Sequence, residues 1–244
     1  MTDLKTRAAR APRRNARLGR LPNHVWICAG VMLLAQMIAY YGTRLLLGHA
    51  PLHDFAMPLD QRIPFIPAWV TVYFLAYLSW VVSAAWILLD SRGEPARAYR
   101  FSGAYALAMF LSALVFLIYP GTIERPEVVG DGFFPGWVRL LYRIDSPTNL
   151  CPSLHVLASY FCWRGTLDCR RIPRWYRWFN FAFLILVCLS ILFVKQHAVV
   201  DIFAAIVIGE LALQAAARCR LERVFLAEDP KQRKKNGGGH LHGD

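Results

Sequence analysis

The sequence has no CxxC pair and no HExxH run, so neither of those thiol-redox or zinc ligand sets is available. Acidic residues are few, 16 Asp and Glu against 28 Lys and Arg, and charged residues of both signs make up only 18% of the chain. No internal repeat is evident. The first apolar run is too long for a signal-peptide core and lacks a small-residue cleavage site, so a cleavable secretory signal is not expected. A terminal "HLH" (His240, His242) follows three glycines and reads as disordered tail, so neither a metal nor a cofactor is expected.

What the chain has instead is apolar length. Apolar residues make up 56% of the sequence and the mean hydropathy is +0.33. Six segments read as helical spans, roughly Val25 to Leu47, Ala68 to Leu89, Ser102 to Tyr119, Ser153 to Leu167, Trp178 to Val194 and Val199 to Ala217. The fourth and fifth are short of the ~20 residues that cross a bilayer without tilt. The expected fold class is all-α: an integral membrane six-helix bundle over residues 25–217. It is flanked by a basic cytoplasmic tail (1–24) and a basic, partly disordered cytoplasmic tail (218–244).

The formal net charge of +12 does not point to nucleic acid, because the positive residues are unevenly placed. Of the 28 Lys and Arg, 22 fall in the N-terminal tail, the second loop, the fourth connection and the C-terminal tail; the first, third and fifth loops hold five. By the positive-inside rule, both termini are cytoplasmic and the odd loops extracytoplasmic. The N-terminal "KTRAARAPRRNARLGR" then reads as an arm that sets topology and attracts membrane lipids. On this topology Cys28, Cys162 and Cys188 lie in spans, Cys169 and Cys219 face the cytoplasm, and Cys151 alone is outside. That excludes a disulfide framework.

The third loop, Gly121 to Cys151, is long enough to suggest a task. Within it "PGWVRLLYRID" sets Trp137, Leu140, Leu141 and Ile144 at helical spacing, with Arg139 and Arg143 on another face, which predicts a short helix in the outer interface.

Ionisable groups cost about 2.5 to 3.5 kcal/mol at mid-bilayer on insertion scales, so each one at a span calls for a partner or a task. Three places bring them to one face: Arg125 after the third span, Ser153 and His155 opening the fourth, and Lys195, His197 and Asp201 between the fifth and sixth. His197 and Asp201 are spaced i, i+4. With the sixth helix beginning near Gln196, the carboxylate lies one turn below the imidazole and orients it. This set suits phosphoryl transfer without a metal. An imidazole attacks phosphorus, Arg125 and Lys195 neutralise its oxygens, the free amides beside Ser153 bind an anion, and His155 protonates the leaving alkoxide.

Other polar residues have plainer readings. Asp145 and Asn149 read as turn or cap residues, Arg44 as a snorkelling side chain, and Asp54 and Asp60 as solvated loop carboxylates. Glu210 lies nine residues beyond Asp201, and Arg164 nine beyond His155, on helices running the same way. Equal depth predicts an Arg164 to Glu210 contact.

The constellation resembles the type 2 phosphatidic acid phosphatase superfamily. Pro152, Ser153, Leu154 and His155 are similar to its P-S-G-H motif; His197 and Asp201 match the histidine and aspartate of S-R-x5-H-x3-D; Arg125 and Pro126 match the end of K-x6-R-P. The motifs and the six-span topology together cover most of residues 25–217. The resemblance implies His197 as nucleophile forming a phosphohistidine, Asp201 orienting it, His155 as general acid, and Arg125 with Ser153 holding phosphate. Three positions depart: Ile118 stands for the motif lysine, Leu154 for the glycine and Ile191 for the arginine, with Lys195 as candidate to supply the missing charge.

"PSLHV", "KQHAVVDI" and "LDQRIPFIP" look more like the inositol phosphorylceramide synthase branch, which includes lipid phosphotransferases beside phosphatases. The implied protein is a bacterial inner-membrane enzyme with a periplasmic site and a lipid phosphate substrate. A non-enzymatic lipid-binding or transport protein is the rival reading.

Overall fold

The computed structural model describes residues 21–48 and 50–227. Most of the N-terminal basic tail, and the C-terminal tail with His240 and His242, lie outside the described residues.

The chain is mostly helical, and its helices follow the apolar runs. In order they are α1 (Asn23–Met37), a π-helical turn (Ile38–Gly42), α2 (Thr43–Leu47), α3 (Pro58–Arg62), α4 (Val70–Asp90), α5 (Pro95–Ile118), α6 (Phe133–Ile144), α7 (Leu154–Leu167), α8 (Arg174–Phe193), α9 (Val199–Arg218) and α10 (Glu222–Ala227). Two residues of β1 (His53–Asp54) pair in parallel with β2 (Gly121–Thr122). Gly121 leaves room at that bridge for the Phe55 ring, which a Cβ there would displace.

Five helices are long and apolar enough to cross a membrane: Asn23–Leu47, Pro67–Gly93, Pro95–Ile118, Arg174–Phe193 and Val199–Arg218. They make the chain compatible with an integral membrane protein. The fourth expected span, α7, has 14 residues, or about 21 Å of helix against a hydrocarbon core of about 30 Å. It compensates by position. Eleven of its residues are buried, because it packs against α4, α8 and α9 at the bundle centre. Gly165 and Gly209 permit that closeness: a Cβ on Gly165 would meet Phe101 at 2.5 Å, and one on Gly209 would meet Tyr160 at 2.9 Å.

Successive long helices run in opposite senses, so the molecule has two polar ends. At one, Asp90 at the end of α4 pairs with Arg97 of α5 at 2.6 Å and accepts the backbone amides of Arg170 and Arg171. Arg100 grips Glu222 of α10 at 2.7 Å. Helix α5 starts at Pro95, seven residues before the expected span, since proline suits a helix's first turn and the added turns carry these charges. The other end gathers α3, α6 and the starts of α7 and α9. There α6 forms in the third loop as expected, with a different inward stripe: Val138 and Leu141 are buried, whereas Trp137, Leu140 and Ile144 face outward.

The expected Arg164 to Glu210 contact is present, with Nε and Nη2 donating to the carboxylate at 3.1 and 3.2 Å. The Tyr160 hydroxyl donates to the same group at 2.6 Å. Among the described residues every cysteine is a free thiol.

Candidate active site

A cavity of about 450 Å³ opens at the second polar end, between α1, α4, the 144–150 segment and the starts of α7 and α9. Its apolar flank is Leu33 and Met37 of α1 and Val81 of α4; its inner end is His155 and His197. The π-helical turn shapes one wall. A π turn widens a helix locally, and here it carries Tyr40 and Tyr41, which both line the cavity.

His197 is buried, and its Nδ1 lies 3.0 Å from the Leu150 carbonyl and 3.0 Å from Asp201 Oδ2. Both partners only accept, so Nδ1 carries the proton and the Nε2 lone pair is free in the neutral ring. Asp201 also accepts the Ala198 amide at 3.0 Å. Helix α9 therefore starts at Val199, with Asp201 in its first turn, and not near Gln196. His197 lies just before the helix, and one carboxylate both caps the helix and orients the imidazole.

His155 is the second residue of α7 and is also buried. Its ring packs on Tyr73 at 4.3 Å and Trp80 at 5.3 Å, and its Nε2 meets the Tyr77 hydroxyl at 3.1 Å. Its centroid is 5.9 Å from that of His197. Ser153 holds this start in place: its side chain accepts the Val156 amide at 3.4 Å, and its own amide donates to the Asp201 carbonyl at 3.2 Å. The backbone bond ties α7 to α9, while the Ser153 hydroxyl oxygen caps the first turn of α7.

The two expected cations stand elsewhere. Arg125 lays its guanidinium 4.5 Å over the Tyr142 ring and donates to the carbonyls of Asp145 at 2.7 Å and Tyr142 at 3.3 Å. Burial pushes its pKa down, against the pull of Asp145. Lys195 donates to the carbonyls of Asp60 at 2.7 Å and Ile63 at 2.5 Å. Burial lowers its pKa too. Among the described residues no Lys or Arg lines the cavity. The structure thus brings His155, His197 and Asp201 together and sets Arg125, Ser153 and Lys195 behind them as braces.

Two carboxylates have larger roles than their loop positions suggested. Asp60 is buried, not solvated, because its Oδ1 accepts the Val199 amide at 2.8 Å and its Oδ2 the Met57 amide at 2.9 Å. It ties α3 to the start of α9. Asp145 does follow α6 as its cap residue, but its carboxylate accepts the Tyr40 hydroxyl at 2.5 Å and the Tyr73 hydroxyl, and it lines the cavity. Burial works to raise its pKa, yet His155 and the two phenols hold it below the ordinary carboxylate value.

Asn149 takes a left-handed turn (φ 58°), as its turn reading implies, and also donates to Tyr40 O and Thr43 Oγ1 at 2.9 Å. The signal for Asp145 lay in the tyrosines: a phenol inside an apolar span requires a partner, and Tyr40 and Tyr73 both find theirs in this carboxylate.

Comparison with family models, with curated proteins and with solved structures finds no match.

Proposed function

We propose that the protein is a membrane lipid phosphatase that hydrolyses a lipid phosphate monoester or pyrophosphate without a metal, through a phosphohistidine on His197. The observation that carries the reading is the double acceptor set on His197 Nδ1, which leaves Nε2 as a lone-pair donor in a cavity shared with His155. In the first step Nε2 attacks phosphorus, the Nε2–P bond forms and the ester P–O bond breaks. The leaving alkoxide takes a proton from His155. Asp201 stabilises the charge that develops on His197. In the second step water attacks phosphorus, returns a proton to His155 and releases phosphate. The spacing of the two rings, 5.9 Å between centroids, suits one phosphoryl group held between nucleophile and acid.

The resemblance to the type 2 phosphatidic acid phosphatase superfamily supports the same roles. With it goes the membrane reading: six spans with α7 as the fourth, cytoplasmic termini, and a site on the periplasmic face of a bacterial inner membrane.

One observation favours transfer to an alcohol as a second reading. Thr148 Oγ1, Asn149 Oδ1 and both polar atoms of the Gln196 side chain are buried at the cavity without a partner among the described residues. Such atoms are costly without partners, and a rotation of these side chains toward the cavity would bring them to the hydroxyls of an alcohol acceptor or a headgroup.

The deciding experiment incubates purified protein in detergent with a panel of lipid phosphates, with chelator present and with and without alcohol acceptors. Wild type should form an acid-labile phosphoenzyme and release phosphate. His197→Gln should do neither while remaining folded. Turnover undiminished in that variant removes the mechanism, and lipid movement with no phosphoenzyme establishes the rival transport reading.

A further inference from the structure

The charge lining the cavity is the reverse of what a simple phosphate clamp needs. Among the described residues, and apart from the two histidines, the one group lining it that carries a charge at neutral pH is the carboxylate of Asp145, and that group is fixed by two phenols. The walls beside it are aromatic: Tyr40 and Tyr41 from the π-helical turn, Tyr77 and Trp80 from α4. Tyr40 and Tyr41 meet edge to face at 4.8 Å, and Tyr77 and Trp80 at 4.9 Å. Trp80 is further fixed by a 2.8 Å bond from Nε1 to Ser159 Oγ. Gln196 and Asn149, 3% and 5% exposed, are also among the lining residues. A carboxylate and a group of aromatic rings are jointly complementary to a cation, above all an alkylated or protonated amine.

We propose that this cavity is a headgroup subsite for a zwitterionic lipid, with its ammonium beside Asp145 among the Tyr40, Tyr41, Tyr77 and Trp80 rings. The proposal rests on the second reading above, transfer to an alcohol, because a lipid phosphate with an attached amine is a diester and not the monoester of the hydrolytic reading; it places that diester's phosphorus at His197. It commits to a lipid because the cavity continues past the rings to Leu33 and Val81, which are 63% and 67% exposed on the apolar flank of the bundle. A hydrocarbon chain can follow that surface while the headgroup remains inside. Asp145 then acts on substrate choice: it repels a second negative charge on phosphorus and favours a phosphate whose charge is balanced by an attached amine.

The test uses full-length protein carrying His197→Gln, titrated in neutral detergent micelles with phosphatidylcholine and with phosphatidylglycerol of the same acyl chains. The expected preference for the choline lipid is about tenfold or more. Adding Asp145→Asn should bring the two affinities within about twofold, and Trp80→Leu should cut the preference about fivefold. Trp80→Leu keeps the test decisive should Asp145→Asn fail to fold. Equal affinities for the two lipids overturn the proposal, as does a preference that survives Trp80→Leu. Binding of phosphocholine alone as tightly as the lipid overturns the commitment to a lipid.

Phosphoenzyme formation by wild type is scored separately. A headgroup preference without phosphoenzyme sustains the subsite and removes the reaction. Phosphoenzyme without the preference does the opposite.

Discussion

Lys195 and Asp60 form a brace behind the proposed nucleophile. Lys195 adopts a left-handed backbone (φ 54°), uncommon for a lysine, in the turn that joins α8 to α9, and its ammonium is anchored on the carbonyls of α3 and the residue after it. Asp60 answers from α3 by accepting the first amide of α9, one of the donors a helix start leaves unmatched. Both residues therefore act through the position of His197. Lys195→Met should lower stability by about 1.5 to 3 kcal/mol, the range for hydrogen bonds made by a charged group. It should lower kcat and leave KM for a lipid phosphate within about twofold. Thermal unfolding and steady-state kinetics on the same preparation check both parts. A KM that rises steeply with the variant at unchanged Tm would instead put the ammonium on the substrate phosphate.

At this scale the sequence was legible where chemistry and spacing coincide, as at His197 and Asp201. It was opaque at Asp145, whose partners Tyr40 and Tyr73 lie 105 and 72 residues away.

Among the elements, the apolar runs predicted the long helices because a backbone removed from water has to pair with itself. Their ends were less legible. Pro95 starts α5 seven residues early, through helix-start chemistry that hydropathy does not register, whereas α9 begins at Val199 as its apolar run indicated. Helix α10 was not foreseen, since its apolar run is only four residues, Val224 to Ala227, and the helix depends on docking. It sits on α5 through the bidentate Arg100 to Glu222 pair and the Tyr99 and Phe225 rings, stacked at 5.3 Å. The bond from Arg100 holds the Glu222 carboxyl below its usual value of 4.5. A lowered carboxylate pKa means that docking is fully supported above about pH 4.5 and loses that support as pH falls through the lower folded value. The docked segment should thus become protease-sensitive on acidification below pH 4.5, and Glu222→Gln should show that sensitivity at neutral pH with no further change in acid. Limited proteolysis followed by mass measurement of the C-terminal fragment reads both. Equal resistance of wild type and variant across the pH range would show that the aromatic stack alone suffices.

For the whole molecule, the two polar ends differ in charge as well as in contents. The end that holds Arg97, Arg100, Arg170 and Arg171 is the one at which α1 starts, with Val25 and Cys28 packed on Leu88 and Ala98, and the cavity lies at the other. Lys and Arg gathered on one side resist transfer across a bilayer during insertion, which is the physical content of the positive-inside rule. The short α7 is consistent with this arrangement. On the proposed topology its start lies below the outer surface, with His155 and His197 at the inner end of the cavity and α6 at the same end of the bundle, where its outward Trp137, Leu140 and Ile144 suit the interface. Glu127 and Arg171 are exposed at opposite ends and report the orientation directly. In a Cys219→Ser background, Glu127→Cys should react with a membrane-impermeant maleimide in intact cells stripped of their outer barrier. Arg171→Cys should react only after the inner membrane is permeabilised. The reverse pattern would place the cavity, and with it the proposed chemistry, on the cytoplasmic face, and would require the substrate to be drawn from the inner leaflet.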